Sequence, residues 1–441
     1  MIRMKSVLLI AFVAGLTLSS AAYAQADKDG KEEYRLDLSE IEKKPYHLGG
    51  YGEIRPIAYG LDHEAALYKL RFYNRNEGNT TEAYNFKLLI DGSYEQDNAR
   101  LFVRLSYDVN NSYLGWQDDL TPYEAFLSLK PSPSLTLDAG KKLLRWGKGY
   151  AWNPVAFIDR PKDPDEPDLA LEGYWVLSAD WIRSFSGPLK TLSFTPVFLP
   201  VLEGINDDFG KTGQANMAAK LYLLLYDTDI DFIFFAGGSR TTRYGLDFSR
   251  NITSNFEIHG ELAFIEDFKK VSVAPDGTGS VANSDAASFL LGIRYLTKND
   301  TTYILEYYHN GTGFTKDEAR AFYSFIDRSY DTYLATGKDT TLKRAQSLAQ
   351  GTYARPNPMT DYLYLRLSQK EPFDILYFTP ALTAIMNLRD PSYSLAPEVV
   401  YTGITNLELR LKATFLAGGE STEFGEKPYN YQLEFRARYF F

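Results

Sequence analysis

The 441-residue sequence has no cysteine. Disulfides, thiolate metal sites and covalent c-type haem attachment are therefore excluded. Histidine is nearly as scarce: His47, His63, His259 and His309 lie far apart and show no metal-ligand spacing. Neither a metal nor a cofactor is expected. Beyond the first two dozen residues no run of 18 apolar residues occurs, and mean hydropathy is −0.30, which excludes transmembrane helices. Basic residues form no cluster and the formal net charge is −10, so nucleic acid is not expected as a partner.

Aromatic residues, by contrast, are abundant, with 33 Tyr and 28 Phe. Such enrichment fits rings placed at a membrane–water interface. The chain opens with MIRMKSVLLIAFVAGLTLSSAAYAQA. A basic start (Arg3, Lys5), an apolar run and the Ala22-Tyr23-Ala24 site make the three-part pattern of a secretory signal peptide over residues 1–24. The net charge becomes −12 once Arg3 and Lys5 leave with it. Residues 25–46 are polar and charged and read as a periplasmic N-terminal tail, too short for a plug domain. A membrane domain is expected over 47–441.

Throughout that span apolar and charged residues alternate with period two, the signature of strands between two environments. In RLFVRLSYD, Leu101, Val103, Leu105 and Tyr107 face one way, and Arg100, Arg104 and Asp108 the other. NFEIHGELAF separates Ile258, Leu262 and Phe264 from Glu257, His259 and Glu261. DYLYLRLS and NLELRLKATF place Arg366 and then Glu408, Arg410 and Lys412 opposite leucines. YKLRFY reads the same way, with Lys69 and Arg71 on the polar side, although the region 47–97 also fits one strand and an ordered loop. Full charges of both signs on one face suit an aqueous lumen, and Leu, Val, Phe and Tyr on the other suit lipid. The expected fold is all-β: a transmembrane antiparallel barrel of roughly 16–18 strands, even-numbered so that both termini share a side. Lys69, Arg71, Arg100, Arg104, Arg366, Arg410, Arg436 and Arg438 are expected on the lumen wall. Lys220, Arg243, Arg294 and Lys412 join them, against Asp108, Asp138, Asp247, Glu257, Glu261, Glu306, Glu408 and Glu434. The slight basic excess predicts a weak preference for anions.

Two segments break the alternation. Residues 315–351 place Ala319, Phe322, Tyr323 and Ile326 at helical spacing, as an external loop with a helix or as a plug. The second, KKLLRWGKGYAWNPVAFIDRPKDPDEPD, leaves a strand through two glycines and two X-Pro breakers. Its aromatics need burial, while Arg145, Lys148, Asp159, Arg160, Lys162 and Asp163 need water or partners. A loop folded into the lumen supplies both, and opposed charges there would orient polar solutes. The bland alternative is an external cap held by ion pairs.

The chain ends in YQLEFRARYFF, a strand closing on Tyr439 and Phe441. It resembles the assembly signal of Gram-negative outer-membrane barrels. The block LSLKPSPSLTLDAGKKLLRWGKGYAWNP resembles segments of porin-like outer-membrane families, including alginate-export-type porins. The resemblance implies an outer-membrane channel for small polar or anionic solutes, not an enzyme. Outer-membrane lipid, lipopolysaccharide and the barrel assembly machinery are its implied partners, and a homo-oligomer is left open. A sheath around a partner protein is the alternative. A hydrolase on the rim is the third reading, with His259 beside Glu257 and Glu261, or His309, as its base; no serine motif adjoins either histidine.

Overall fold

In the computed structural model, which describes residues 44–167, 171–353 and 355–441, eighteen antiparallel strands form one closed sheet. The expected leader and nearly all of the expected tail lie outside the described residues; the tail's last residue, Tyr46, already belongs to a strand. In chain order the strands are β1 (Tyr46–Leu61), β2 (Thr80–Gln96), β3 (Ala99–Ser112), β4 (Gly115–Ser132), β5 (Leu135–Lys142) and β6 (Tyr174–Ser184). Then come β7 (Leu189–Val201), β8 (Gln214–Leu225), β9 (Thr228–Gly237), β10 (Arg243–Thr253), β11 (Phe256–Val273) and β12 (Gly279–Leu296). The last six are β13 (Thr301–His309), β14 (Asp361–Gln369), β15 (Phe378–Asn387), β16 (Ser392–Ile404), β17 (Leu407–Ala417) and β18 (Tyr429–Phe440). Each pairs with the next, and β18 closes the ring on β1, Tyr51 opposite Phe440. Closure leaves no strand edge unpaired, a requirement for backbone that crosses lipid.

The alternation read from the sequence is the wall's two faces. On β18, Leu433 and Phe435 are exposed outside at 48% and 42%, whereas Glu434 and Arg436, which alternate with them, are buried at 3% and 2%. The same split recurs on β3, β11 and β17, where Leu105, Leu262 and Leu411 point outward. An exposed apolar band around a ring whose charges point inward is the surface of a membrane-spanning barrel.

The two ends of the barrel differ. One end has tight turns such as Asp97-Asn98, Tyr226-Asp227 and Thr405-Asn406. Asp97, Tyr226, Asp227 and Asn406 there take positive φ, the conformation that two-residue hairpins demand. The opposite end carries the long connections, residues 62–79, 143–173, 310–360 and 418–428.

The first long connection corrects the strand reading of YKLRFY. Ala66–Phe72 is a helix, α1, so Lys69 and Arg71 belong to a loop and not to the strand wall. The alternating pattern misleads because it also contains two i,i+4 pairs. Ala66 and Leu70 enter one apolar cluster while Tyr68 and Phe72 enter another, so the helix is gripped from two sides. Residues 315–351 do form helices, α2 (Lys316–Thr336) and α3 (Thr340–Leu348). A capping box starts α2: the Thr315 hydroxyl accepts the Glu318 N–H at 3.3 Å and the Glu318 carboxylate accepts the Thr315 N–H at 2.7 Å. Gly337, at φ 72°, ends it. Ala319, Phe322, Tyr323 and Ile326 are buried, as their spacing predicts.

Candidate functional site

The connection 143–173 does not stay outside the ring. It begins by closing on itself: the Asp159 carboxylate accepts the N–H groups of Leu144 and Arg145, both at 3.1 Å, and of Trp146 at 2.8 Å. Asp159 is buried, and burial pushes its carboxyl up against the lowering effect of those three bonds.

The next turn wraps around wall carboxylates. Glu261 on β11 accepts the N–H groups of Lys148 (2.6 Å), Gly149 (2.7 Å) and Val155 (3.2 Å), and the side-chain amide of Asn153 (3.0 Å). Glu306 on β13 accepts the N–H groups of Tyr150 (2.5 Å) and Ala151 (2.9 Å), with His259 at 2.8 Å on its other flank. The glycines make this possible. A Cβ on Gly147 would lie 2.5 Å from the Asn153 amide nitrogen and 2.8 Å from Glu261, and one on Gly149 would lie 2.1 Å from the Trp152 carbonyl. The Lys148 ammonium reaches Asp231 on β9 at 2.9 Å and Asp247 on β10 at 3.8 Å. Burial opposes its charge, yet the two aspartates outweigh that and hold it above its ordinary value.

The far end of the connection meets the opposite sign. Glu166 lies 3.0 Å from Arg410 on β17, 3.0 Å from Arg436 on β18 and 3.5 Å from Lys412, whose ammonium also donates to the Asp165 carbonyl at 2.9 Å. Burial works against the Glu166 charge, but the three cations prevail and hold its carboxyl at about 2. The connection is thus a strap across the lumen, fixed at one end to the acidic wall of β9–β13 and at the other to the basic wall of β17–β18.

The remaining expected loop residues divide by task. Lys162 donates to the Gly149 and Tyr150 carbonyls at 2.8 and 3.3 Å, and so braces the turn. Arg160 pairs with Asp208 and, at 2.9 Å, with Glu172. Asp163 is exposed and accepts the Asp165 N–H at 3.0 Å. Arg145 is exposed, without an ion-pair partner among the described residues. Arg145, Asp159, Arg160 and Lys162 share the lining of one cavity of about 210 Å³.

Most of the expected wall cations face the lumen beside a carboxylate. Arg104 pairs with Glu124 (3.1 Å), Arg366 with Glu398 (2.5 Å), and Arg410 with the same Glu398. Arg438 pairs with Glu53 (2.7 Å), and Arg100 with Glu95 (3.3 Å). Off the wall, Lys69 joins α1 to α2 through Asp327 at 2.9 Å, and Arg71 is exposed. Neither His259 nor His309 is hydrogen-bonded to a hydroxyl among the described residues; His309 bonds Asp361 at 2.8 Å.

Sequence reading missed two things. Glu261 and Glu306 were wall acids with no assigned partner, although the Gly-x-Gly and Asn153 spacing marks a turn whose amides could converge on an anion. The strap also packs on the wall: Trp152 meets Tyr308 of β13 (5.1 Å) and Tyr362 (5.8 Å) and Tyr364 (5.9 Å) of β14. It shares an apolar cluster with α1, α2 and α3 over the lumen's loop end.

No family model and no curated protein matches the sequence. Solved structures do match. Acinetobacter baumannii OccAB1 is 7% identical over 89% of this chain and 96% of its own, with a TM-score of 0.51. Pseudomonas aeruginosa OccK11 (OpdR) is 13% identical over 89% and 95%, with a TM-score of 0.49. A mutant of the Rh. blastica porin is 10% identical over 90% and 100%, with a TM-score of 0.44. The chain has the closed antiparallel barrel fold of Gram-negative outer-membrane porins.

Proposed function

We propose that the protein is an outer-membrane channel for passive diffusion of small polar or anionic solutes, with the strap 143–173 as its constriction. The strap's sign-matched anchoring to opposite walls is the observation that carries this reading. Acidic groups on one wall and Arg410, Arg436 and Arg438 on the other set up a transverse field where the strap narrows the passage. Arg145, Arg160, Lys162 and Asp163 line or border that passage, whereas Lys148 and Asp159 hold the strap in shape. A lumen occupied by its own strap has little room for a sheathed partner. Wall arginines paired with carboxylates keep the expected anion preference weak. The leader at 1–24 and the terminal Tyr439 and Phe441 fit export and barrel assembly, with lipopolysaccharide as the outer-leaflet partner.

The test is planar-bilayer conductance of the purified barrel, intact and lacking residues 147–166, with heat-modifiable gel mobility confirming that both are folded. Discrete steps that grow on deletion are expected. Absence of conductance in both folded forms sinks the channel reading.

A further inference from the structure

The end of the barrel that carries the tight turns has one connection unlike its neighbours. Short turns mark the periplasmic side of an outer-membrane barrel, and Tyr46 and Phe440, where the ring's first and last strands start and stop, both lie there. The other turns on that side have two or four residues, but residues 370–377, between β14 and β15, number eight. Their sequence is KEPFDILY. Phe373 is 93% exposed and Leu376 62%, and Ile375 and Tyr377 beside them are exposed as well. Four apolar or aromatic side chains are held off the sheet, where a turn facing only water carries polar residues.

The segment has a fixed shape. Glu371, Phe373, Asp374 and Tyr377 take positive φ, at 49°, 58°, 59° and 63°. None is glycine, and a bulky side chain in that conformation is strained unless its surroundings hold it. The strands on either side of this pair reverse in two or four residues, so reversal alone requires neither this length nor this strain. Hydrogen bonds hold the segment within itself and to both neighbours. The Glu371 N–H donates to the Phe378 carbonyl at 2.8 Å, and the Glu371 carboxylate accepts the Tyr377 N–H at 3.0 Å. The Lys370 N–H donates to the Asp300 carbonyl of the β12–β13 turn at 3.1 Å, and the Tyr377 carbonyl accepts the Thr402 N–H of β16 at 3.0 Å.

What covers these side chains follows from where the segment leaves the wall. On the outer face of β16, Tyr393 and Tyr401 are both exposed. At about 3.3 Å per residue and a strand tilt of ~40°, the separation between them crosses roughly 20 Å of membrane, comparable with an apolar band of about 25 Å that has aromatic residues at each boundary. Tyr401 is the one nearer the tight turns, and Phe378, the first residue of β15, is paired opposite it. The segment therefore departs at the periplasmic boundary of the lipid, and its apolar side chains continue the lipid-facing surface past the last strand residue.

We propose that residues 370–377 are a rigid apolar foot that inserts Phe373, Ile375, Leu376 and Tyr377 between the headgroups and acyl chains of the periplasmic leaflet. An apolar surface that rests in that layer gains from burial without crossing the membrane, and tyrosine, apolar in body and polar at its tip, suits it. Standing on one side of the ring, the foot holds β14, β15 and β16 at a set depth. The proposal rests on the outer-membrane reading and is independent of conduction.

The chain has no cysteine, so one can be introduced and spin-labelled alone. Ile375→Cys carries the nitroxide in the folded barrel, reconstituted into phosphatidylcholine vesicles. Its collision rate with oxygen, which partitions into lipid, is divided by its rate with a nickel chelate, which stays in water. Leu411→Cys, on the outer face of β17, is the lipid reference. Asn98→Cys, in a two-residue turn at the same end, is the water reference. Heat-modifiable mobility confirms folding of each form. A ratio at Ile375 at least threefold above that at Asn98 is expected. It is expected to fall at least twofold in a Phe373→Ser, Leu376→Ser background, with the Leu411 label unmoved. A ratio equal to that at Asn98, or one that the serine background leaves unchanged, overturns the foot. If the Leu411 label then still reads lipid, the membrane reading stands and a periplasmic protein becomes the occupant to seek. A water-like ratio at Leu411 removes the membrane reading and the foot with it.

Discussion

The two ends of the strap are fixed by different chemistry. At the acidic wall, Glu261 and Glu306 collect backbone N–H groups, which any residue type except proline can supply. At the basic wall, a single side chain, Glu166, enters a group of three cations. The first anchor depends on the path of the backbone and on two wall residues. The second depends on the identity of one loop residue. An anchor made of amides tolerates substitution in the loop wherever a Cβ fits, which excludes Gly147 and Gly149, and fails when the wall carboxylate is lost; an anchor made of one carboxylate among three cations fails when that carboxylate is lost.

Four experiments break or sharpen this contrast. The largest effect is expected from Glu261→Ala combined with Glu306→Ala. It strips the acceptors from the turn, each charge-assisted bond being worth about 1.5–3 kcal/mol. Protease cleavage within residues 147–155 is expected to rise more than tenfold, and single-channel conductance to become noisy; resistance equal to the unmodified barrel would contradict the anchoring role. Next is Glu166→Ala, which frees the other end and leaves Arg410, Lys412 and Arg436 with one carboxylate fewer. The shift of Glu166 from its ordinary 4.5 to about 2 corresponds to on the order of 3 kcal/mol. Cleavage is expected near residue 166 and not near residue 150, which is the sharpest separation of the two ends.

Acid should mimic that substitution reversibly. The folded-state value of Glu166 is depressed, so its contribution is complete above the ordinary value of 4.5 and disappears as pH falls through about 2. Conductance fluctuations in the intact barrel are therefore expected to grow between pH 4.5 and 2 and to reverse on neutralisation; Glu166→Ala should show no such transition. The smallest effect is expected from Lys148→Met. It leaves the backbone bonds to Glu261 intact and removes only the ion pair to Asp231 and Asp247, so cleavage should rise less than threefold. A larger rise would mean that the lysine, and not the amides, fixes the acidic end.

The fold was legible in the sequence because the wall separates water from lipid at every second residue. Leu433, Glu434, Phe435 and Arg436 report two environments whatever the rest of the chain does. The helix α1 was not legible, since Ala66, Tyr68, Leu70 and Phe72 alternate and also pair at i,i+4, and only the clusters on both sides decide between strand and helix. The strap was partly legible. Its glycines, its X-Pro breakers and its mixture of aromatic and charged residues mark a structured loop entering water. Its anchors were not, because Glu261 and Glu306 lie more than a hundred residues further along and bind atoms that carry no side-chain signature. Lys148 and Asp159 looked like pore-facing charges for the same reason: a lone charge in sequence does not reveal the distant or backbone group that engages it.

The seam between β1 and β18 has a consequence in time. Gly50 and Phe441 exchange two backbone hydrogen bonds of 3.1 Å, so the ring is closed by residues far apart in the sequence. Every other pairing joins strands adjacent in sequence, but one edge of β1 is matched only by β18. Such a long-range pairing is slow to form. That edge of β1 therefore needs a temporary neighbour until β18 docks, and loss of the Gly50–Phe441 pair would lengthen the wait.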